Sequence, residues 1–151
     1  MKNLFLFFVL GCAVLPAKAQ TIKTIKGDWT VTKYYFCGTS AMGDTEAKQW
    51  LNRKLTIGDK ITFEFSKIPK YKTFKNEVCS FGNSLTEQEV STDEYFYEGF
   101  RCNPSSLKII EKKVILIKMK CDFSPFSEFI MKSASQIIVN WDGVFFELIK
   151  V

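Results

Sequence analysis

The residue types that most often carry out chemistry are either missing from this chain or scattered along it. The chain has 151 residues and no histidine, which excludes Ser-His and Cys-His nucleophiles and any histidine-bearing zinc or iron site. Its sixteen acidic residues are dispersed, so no spacing selects the carboxylate pair that glycoside hydrolysis requires. Neither a Gly-rich phosphate loop nor a Gly-x-Ser-x-Gly elbow occurs. The sequence therefore predicts a protein that is not an enzyme and that uses no metal or cofactor.

Three acidic residues lie in or beside predicted strands and receive structural interpretations. Asp142 precedes Gly143 between two apolar runs, which is typical of a hairpin turn. Glu64 and Glu147 lie in predicted strands opposite apolar neighbours, so we expect their side chains to face solvent.

Cysteine is a reactive residue type that occurs several times in this chain. Cys37, Cys79, Cys102 and Cys121 follow the N-terminal segment, and an even count in an exported chain usually means disulfides. No Cys-x-x-Cys pair occurs, which disfavours metal-ribbon and thioredoxin-type sites. Cys79 and Cys121 each end an apolar, strand-like segment, whereas the other two lie in turn-rich stretches. Of the three possible pairings we therefore predict Cys79–Cys121 and Cys37–Cys102.

The segment 1–19 has the parts of a secretory signal peptide. A positive start at Lys2 precedes an apolar run, and Ala17-Lys18-Ala19 then predicts cleavage between Ala19 and Gln20. The apolar run is much shorter than the roughly 20 residues that a membrane-spanning helix needs. Lipoprotein processing at Cys12 is an alternative, although the residues before it fit that signal poorly. We expect an exported protein, periplasmic or secreted, without stable membrane insertion, whose domain spans 20–151.

The charge of the exported part is mildly positive. Loss of Lys2 and Lys18 leaves nineteen basic and sixteen acidic residues, a net charge of +3. Arg53 and Arg101 are the only arginines, and recognition of phosphates and guanine edges favours arginine. The composition therefore argues against a nucleic-acid partner.

The elements that must position any site are mainly strands. Period-2 alternation of apolar and polar residues dominates after the leader, with short turns between the runs. Helical patterns occur at 45–52 and in the region 86–95, where Thr86-x-x-Glu89 fits a capping box. We read 71–79 and 107–110 as strands, the latter forming a hairpin with 114–121. The sequence predicts a mainly β domain, a single antiparallel up-and-down β-barrel of about eight strands with one or two short helices.

The tripeptide Gly27-Asp28-Trp29, at the start of the first predicted strand, resembles the Gly-x-Trp signature of lipocalins and related calycins. The closing hairpin, from Ile137 to Lys150, and the stretch from Ala47 to Phe65 resemble parts of small bacterial exported lipocalin-like proteins. This resemblance implies that Trp29 plugs one end of the barrel and that Gly27 lets the chain turn tightly into the strand. Lipocalins usually place an arginine near the final strand against this tryptophan; here Lys150 stands in that region.

One segment, Asp93-Glu94-Tyr95-Phe96-Tyr97, combines acidic and aromatic residues and interrupts the strand pattern. One interpretation is an amphipathic helix that lays its rings over the barrel mouth. The other is an exposed recognition surface, because tyrosine and phenylalanine contribute strongly to binding at interfaces. We take these five residues as the candidate partner-binding residues.

Two functions fit these observations. The leading hypothesis is a non-catalytic exported binding protein that engages a protein partner, as an inhibitor or immunity protein does, through the loops 81–100 and 38–44. The alternative is a carrier of a small apolar ligand inside the barrel. A continuous interior cavity on the order of several hundred Å³ would favour the carrier, whereas an interior filled by phenylalanine rings would reject it.

Overall fold

The structure, a computed structural model, describes residues 24–80, 85–121 and 124–151. The predicted signal peptide and its cleavage site between Ala19 and Gln20 lie outside these ranges. The described chain is mainly β, as predicted, with the short helix α1 (Asp44–Lys48) and a second short helical segment at 92–100, whose centre Glu94–Glu98 is π-helical. Single helical turns occur at Phe65–Lys67, Pro69–Tyr71 and Pro104–Leu107. No helix within those three ranges is long and apolar enough to cross a bilayer. Its strands are β1 (Gly27–Phe36), β2 (Lys54–Ile57), β3 (Lys60–Phe63), β4 (Glu77–Ser80), β5 (Thr86–Ser91), β6 (Lys113–Lys118), β7 (Glu128–Ser133), β8 (Gln136–Trp141) and β9 (Val144–Lys150).

All the strands belong to one curled antiparallel sheet with the order β4-β3-β2-β1-β9-β8-β7-β6-β5. Sequential strands pair by short connections, and the last strand returns to pair with the first, from Trp29 opposite Lys150 to Phe36 opposite Val144. The up-and-down connectivity is therefore confirmed. The barrel-like fold is confirmed in the form of a curled half-barrel, in which β4 and β5 are the edge strands within the described ranges.

The two disulfides join the same cysteines that the sequence analysis paired. Cys79 in the edge strand β4 bonds to Cys121, three residues beyond β6, with their Cα atoms 5.4 Å apart. This bond links the two sides of the opening in the half-barrel. Cys37 bonds to Cys102, with a Cα separation of 4.9 Å, and ties the end of β1 to the segment after β5. Two disulfides indicate an oxidising, extracellular environment.

Aromatic rings fill the concave face of the sheet. Trp50, which follows α1, stacks on Phe146 of β9 with ring centroids 4.6 Å apart and lies 5.2 Å from Phe63 of β3. Phe126 reaches the same cluster from the other side, 4.7 Å from Phe63. These four side chains are at most 1% exposed, and offset or edge-on ring packing of this kind stabilises cores.

The convex face of β6–β9 is also buried, because the segment 92–110 folds across it. Ile130, Ile138 and Phe145, one from each of three adjacent strands, form a second cluster with Phe96 and Leu107 of that segment. Strands covered on both faces read as continuous apolar runs, which explains the composition of β6 to β9. The segment 92–110 is therefore a layer of the fold.

Three local predictions are wrong. Residues 86–91 form strand β5 and not a capping-box helix, because they pair along their whole length with β6. Residues 107–110 form no strand, and the partner predicted for them, β6, is taken by β5 and β7. Most of 71–79 is turn, with only the end entering β4. For 86–91 and 107–110, the pairing of β6 with β5 and β7 decided the outcome over the local pattern.

Candidate functional site

The two loops predicted to contact a partner meet at one end of the half-barrel. A Cβ at Gly38, which has φ of 81°, would overlap the carbonyl oxygen of Phe100, so the first loop is in backbone contact with the segment 98–101. The β8–β9 turn joins them, since the Ala41 amide donates to the Asp142 carbonyl at 2.9 Å. The Cys37–Cys102 disulfide then fixes both loops to each other.

An open hollow of about 500 Å³ lies where these three segments converge. A second hollow of about 350 Å³ adjoins it and shares Phe100 and Asn140 as a common wall. Volumes of this size are typical of small-ligand or side-chain sites. The first hollow is lined by Cys37, Thr39, Glu98, Gly99, Phe100, Arg101, Asn140, Asp142 and Gly143.

Three polar side chains of the first hollow make no hydrogen bond or ion pair with any described residue. The Nδ2 atom of Asn140 is buried and lacks a hydrogen-bond partner within 24–80, 85–121 and 124–151. The exposed side chains of Glu98 and Arg101 are likewise without a partner in those ranges. Arg101 also has φ of 54°, a left-handed conformation that a non-glycine residue adopts only when its surroundings impose it. These three residues are not among the predicted site residues. The sequence features that could have indicated them are the scarcity of arginine and the predicted loop 81–100.

The predicted partner-binding residues divide into buried and exposed ones. Asp93 and Glu94 are exposed and Tyr97 is 47% exposed, so these can meet a partner. Phe96 is fully buried in the convex-face cluster. Tyr95 is half-buried and donates a hydrogen bond to Glu128; burial, then that bond, raises the pKa of Tyr95 above its ordinary value. The segment is helical, as the first interpretation expected, but its rings pack on the convex face and not over the barrel mouth.

The residues that the lipocalin resemblance singled out lie together at the other end of β1. Trp29 is fully buried and its Nε1 donates to the Ile25 carbonyl at 2.9 Å. The Nζ atom of Lys150 lies 5.4 Å from the centre of the Trp29 ring and donates to the Thr24 carbonyl at 2.6 Å. Gly27 has φ of 135°, and a Cβ there would come within 2.8 Å of Lys150 Cε. Lys150 therefore packs on Trp29 by a cation–π contact, in the region where lipocalins carry an arginine.

A charged network on the convex face corrects the expectation that Glu147 faces solvent. Its carboxylate is 2% exposed and bonds to Lys33 at 3.1 Å and Lys132 at 3.0 Å. Burial alone would raise the pKa of Glu147, but the hydrogen bonds and charges of the two lysines outweigh it and lower the pKa. Lys132 also donates to the Leu107 carbonyl at 3.0 Å, so the network fastens the segment 92–110 to the sheet.

A second polar cluster surrounds Tyr71 near the β8–β9 turn. The Tyr71 hydroxyl donates to Glu46 at 2.7 Å, lies 3.3 Å from Asp142 and accepts from Trp141 Nε1 at 3.2 Å. Lys70 pairs with Glu46 at 2.8 Å. Burial, then the bond to Glu46, raises the pKa of Tyr71 to about 12. The hydroxyl thus stays protonated, and the cluster ties α1 to the turn that contains Asp142.

Comparisons with protein-family models, with curated proteins and with solved structures find no match to this chain. The function is therefore inferred from the geometry of the hollow and of the loops around it.

Proposed function

We propose that this protein is a non-catalytic, exported, lipocalin-like binding protein that engages a protein partner through the loops at the Cys37–Cys102 end. The observation that supports the proposal is the location of the open hollow in the molecule. Aromatic rings occupy the concave face, where a carrier would hold an apolar ligand, whereas an open hollow lies outside the sheet between two loops.

Exposed aromatic residues beside this hollow support a protein partner. Phe36 is 43% and Tyr97 47% exposed, and they are next in sequence to the lining residues Cys37 and Glu98. Aromatic side chains are enriched at the energetically important positions of protein interfaces. An inhibitor or immunity protein uses such a surface without any catalytic group of its own.

Site-specific photo-crosslinking tests the proposal. The photoreactive residue p-benzoylphenylalanine is placed at Tyr97, beside the hollow, and at Asp59, which is fully exposed in the β2–β3 turn at the opposite end of β1. We expect a covalent adduct with one protein of the exported fraction from position 97 and none from position 59.

The captured protein must then bind in purified form. Calorimetry with the two purified proteins is expected to give a saturable complex that Tyr97→Ala weakens, while Asp59→Ala does not. Equal adducts from both positions, or a purified pair that shows no binding, would reject the proposed function.

A further inference from the structure

Two residues that line the same hollow carry hydrogen-bond donors without a partner among the described residues. Asn140 Nδ2 is buried and makes no hydrogen bond to residues 24–80, 85–121 or 124–151, a state that native structures rarely leave unexplained. Arg101 lines the same hollow. The other arginine, Arg53, differs, because its Nε donates to the Gln49 carbonyl at 3.0 Å.

Backbone interactions fix the position of Arg101, although its side chain makes no hydrogen bond or ion pair within 24–80, 85–121 or 124–151. Its amide donates to the Tyr97 carbonyl at 3.0 Å, and the next residue, Cys102, is fully buried in the disulfide with Cys37. The left-handed φ of 54° is therefore imposed from both sides. A guanidinium presented by a fixed backbone loses less freedom when it binds a ligand.

The donor set selects the chemistry of the ligand. A guanidinium offers a planar fork that matches the two oxygens of a carboxylate, and an amide N–H needs an acceptor oxygen. The Glu98 and Asp142 carboxylates on the same lining repel anions, and they disfavour a doubly charged phosphate more than a singly charged carboxylate. Phe100 adds an apolar wall that fits the methylene groups of a side chain.

We propose that the hollow between the loop 38–44 and the segment 98–101 binds a side-chain carboxylate, from an aspartate or glutamate of the partner. Arg101 and Asn140 are the proposed donors. The assignment of this carboxylate to a protein partner rests on the proposed function. The preference of the hollow for carboxylates is a property of this chain alone and can be measured without the partner.

Nuclear magnetic resonance with short peptides tests this preference on the exported, disulfide-bonded protein. The 15N-labelled protein is titrated with acetyl-Ala-Glu-Ala-amide and with its neutral isostere acetyl-Ala-Gln-Ala-amide, and the Asn140 side-chain amide and the Arg101 Nε–H are followed. We expect saturable shifts of both signals with the glutamate peptide and an affinity about tenfold lower for the glutamine peptide.

Two further ligands separate the sources of the anion. Acetyl-Ala-Ala-Ala carries only a C-terminal carboxylate, and inorganic phosphate carries no carbon skeleton. The proposal requires the glutamate peptide to bind more tightly than either. Tighter binding of phosphate, equal shifts from the glutamine peptide, or no shift at Asn140 with any ligand would overturn it.

Variants give changes in opposite directions, which a general loss of structure cannot do. Arg101→Gln and Asn140→Asp should each weaken binding of the glutamate peptide about tenfold or more, whereas the exposed variant Glu98→Gln should tighten it. Lys75→Gln, an exposed lysine elsewhere, makes the same charge change as Arg101→Gln and should leave the affinity unaltered. An equal loss in Lys75→Gln would show a nonspecific charge effect, and an unchanged affinity in Glu98→Gln would show that the ligand is not bound beside Glu98; either result rejects the site.

The outcomes of the two experiments are separable. If the peptide binds but crosslinking finds no partner, the carboxylate site stands and the proposed function fails. If a partner is captured and the peptide produces no shift at Asn140 or Arg101, the partner uses other groups and this inference fails.

Discussion

Glu147 shows how a single residue can be misread from its neighbours in sequence. It lies within an apolar run in β9, and its carboxylate is buried between two lysines. Both lysines lie where the strand register shifts, between Val31 and Lys33 in β1 and between Met131 and Ser133 in β7. Such bulges re-aim side chains, and here they accompany two cations that converge on one carboxylate.

Replacement of Glu147 by glutamine should therefore be strongly destabilising. Glu147→Gln leaves the buried Lys132 ammonium without its counter-ion, and breaking a buried pair typically costs about 3 kcal/mol or more. The measurement is the free energy of unfolding in guanidinium chloride at pH 7. Glu77→Gln is the matched control, because its ion pair with Lys60 is exposed and should contribute at most about 1 kcal/mol. Equal losses in the two variants would contradict this account.

The same carboxylate predicts the direction of the response to acid. Because the pKa of Glu147 is lowered in the folded protein, its contribution is present above the ordinary value of 4.5 and is lost as the pH falls through the folded pKa. The stability difference between the wild type and Glu147→Gln should therefore shrink as the pH is lowered below about 4.5. A difference that stays constant from pH 7 to pH 3 would be inconsistent with an ionised Glu147.

At the scale of elements, the loop 38–44 depends on one glycine and tolerates change at another. Gly38 has a positive φ, and a Cβ there would overlap the Phe100 carbonyl oxygen, whereas nothing lies within 4 Å of a Cβ at Gly43. Gly38→Ala should lower the free energy of unfolding by about 2 kcal/mol or more, and Gly43→Ala should change it by less than about 1 kcal/mol. Thermal unfolding of both variants checks this contrast, which would be absent if the two loops were not in contact.

The strands that the sequence predicts well are those that carry a clear apolar pattern of their own. The β8–β9 hairpin has an apolar run on both sides of Asp142-Gly143, and its observed turn is the same one. Strand β5, with the sequence TEQEVS, carries little alternation, and its conformation comes from pairing with β6, more than twenty residues later. Local patterns cannot report such a long-range partner.

The candidate site was beyond prediction for the same reason. Its donors come from β8 and from the segment after β5, and a disulfide brings a third segment beside them. The sequence could indicate that the two loops are contact regions, because they interrupt the strands. It could not show that Phe96 is buried, since the surface that covers it is formed by β7, β8 and β9.

At the scale of the whole molecule, one disulfide should hold the open side of the half-barrel together. Cys79 lies in the edge strand β4, and Cys121 follows the strand next to the opposite edge. The double variant Cys79→Ser/Cys121→Ser should lose about 3–4 kcal/mol of stability. Hydrogen exchange should accelerate most in the edge strand β4, which has a neighbour on one side only, and next in β3 beside it. Uniform acceleration over all strands would mean that the bond does not act at this seam.

The aromatic packing of the concave face leads to a prediction that distinguishes a filled half-barrel from a hollow carrier. Phe146 is fully buried and stacks on Trp50 at 4.6 Å, so Phe146→Ala should remove about 3–5 kcal/mol of stability and leave an apolar cavity. Engineered cavities of this kind stay dry and bind benzene. The variant should therefore gain a benzene-dependent rise in melting temperature that the wild type lacks. A matching rise in the wild type would reveal a cavity that was already present, and the space for an apolar ligand would then lie inside the sheet after all.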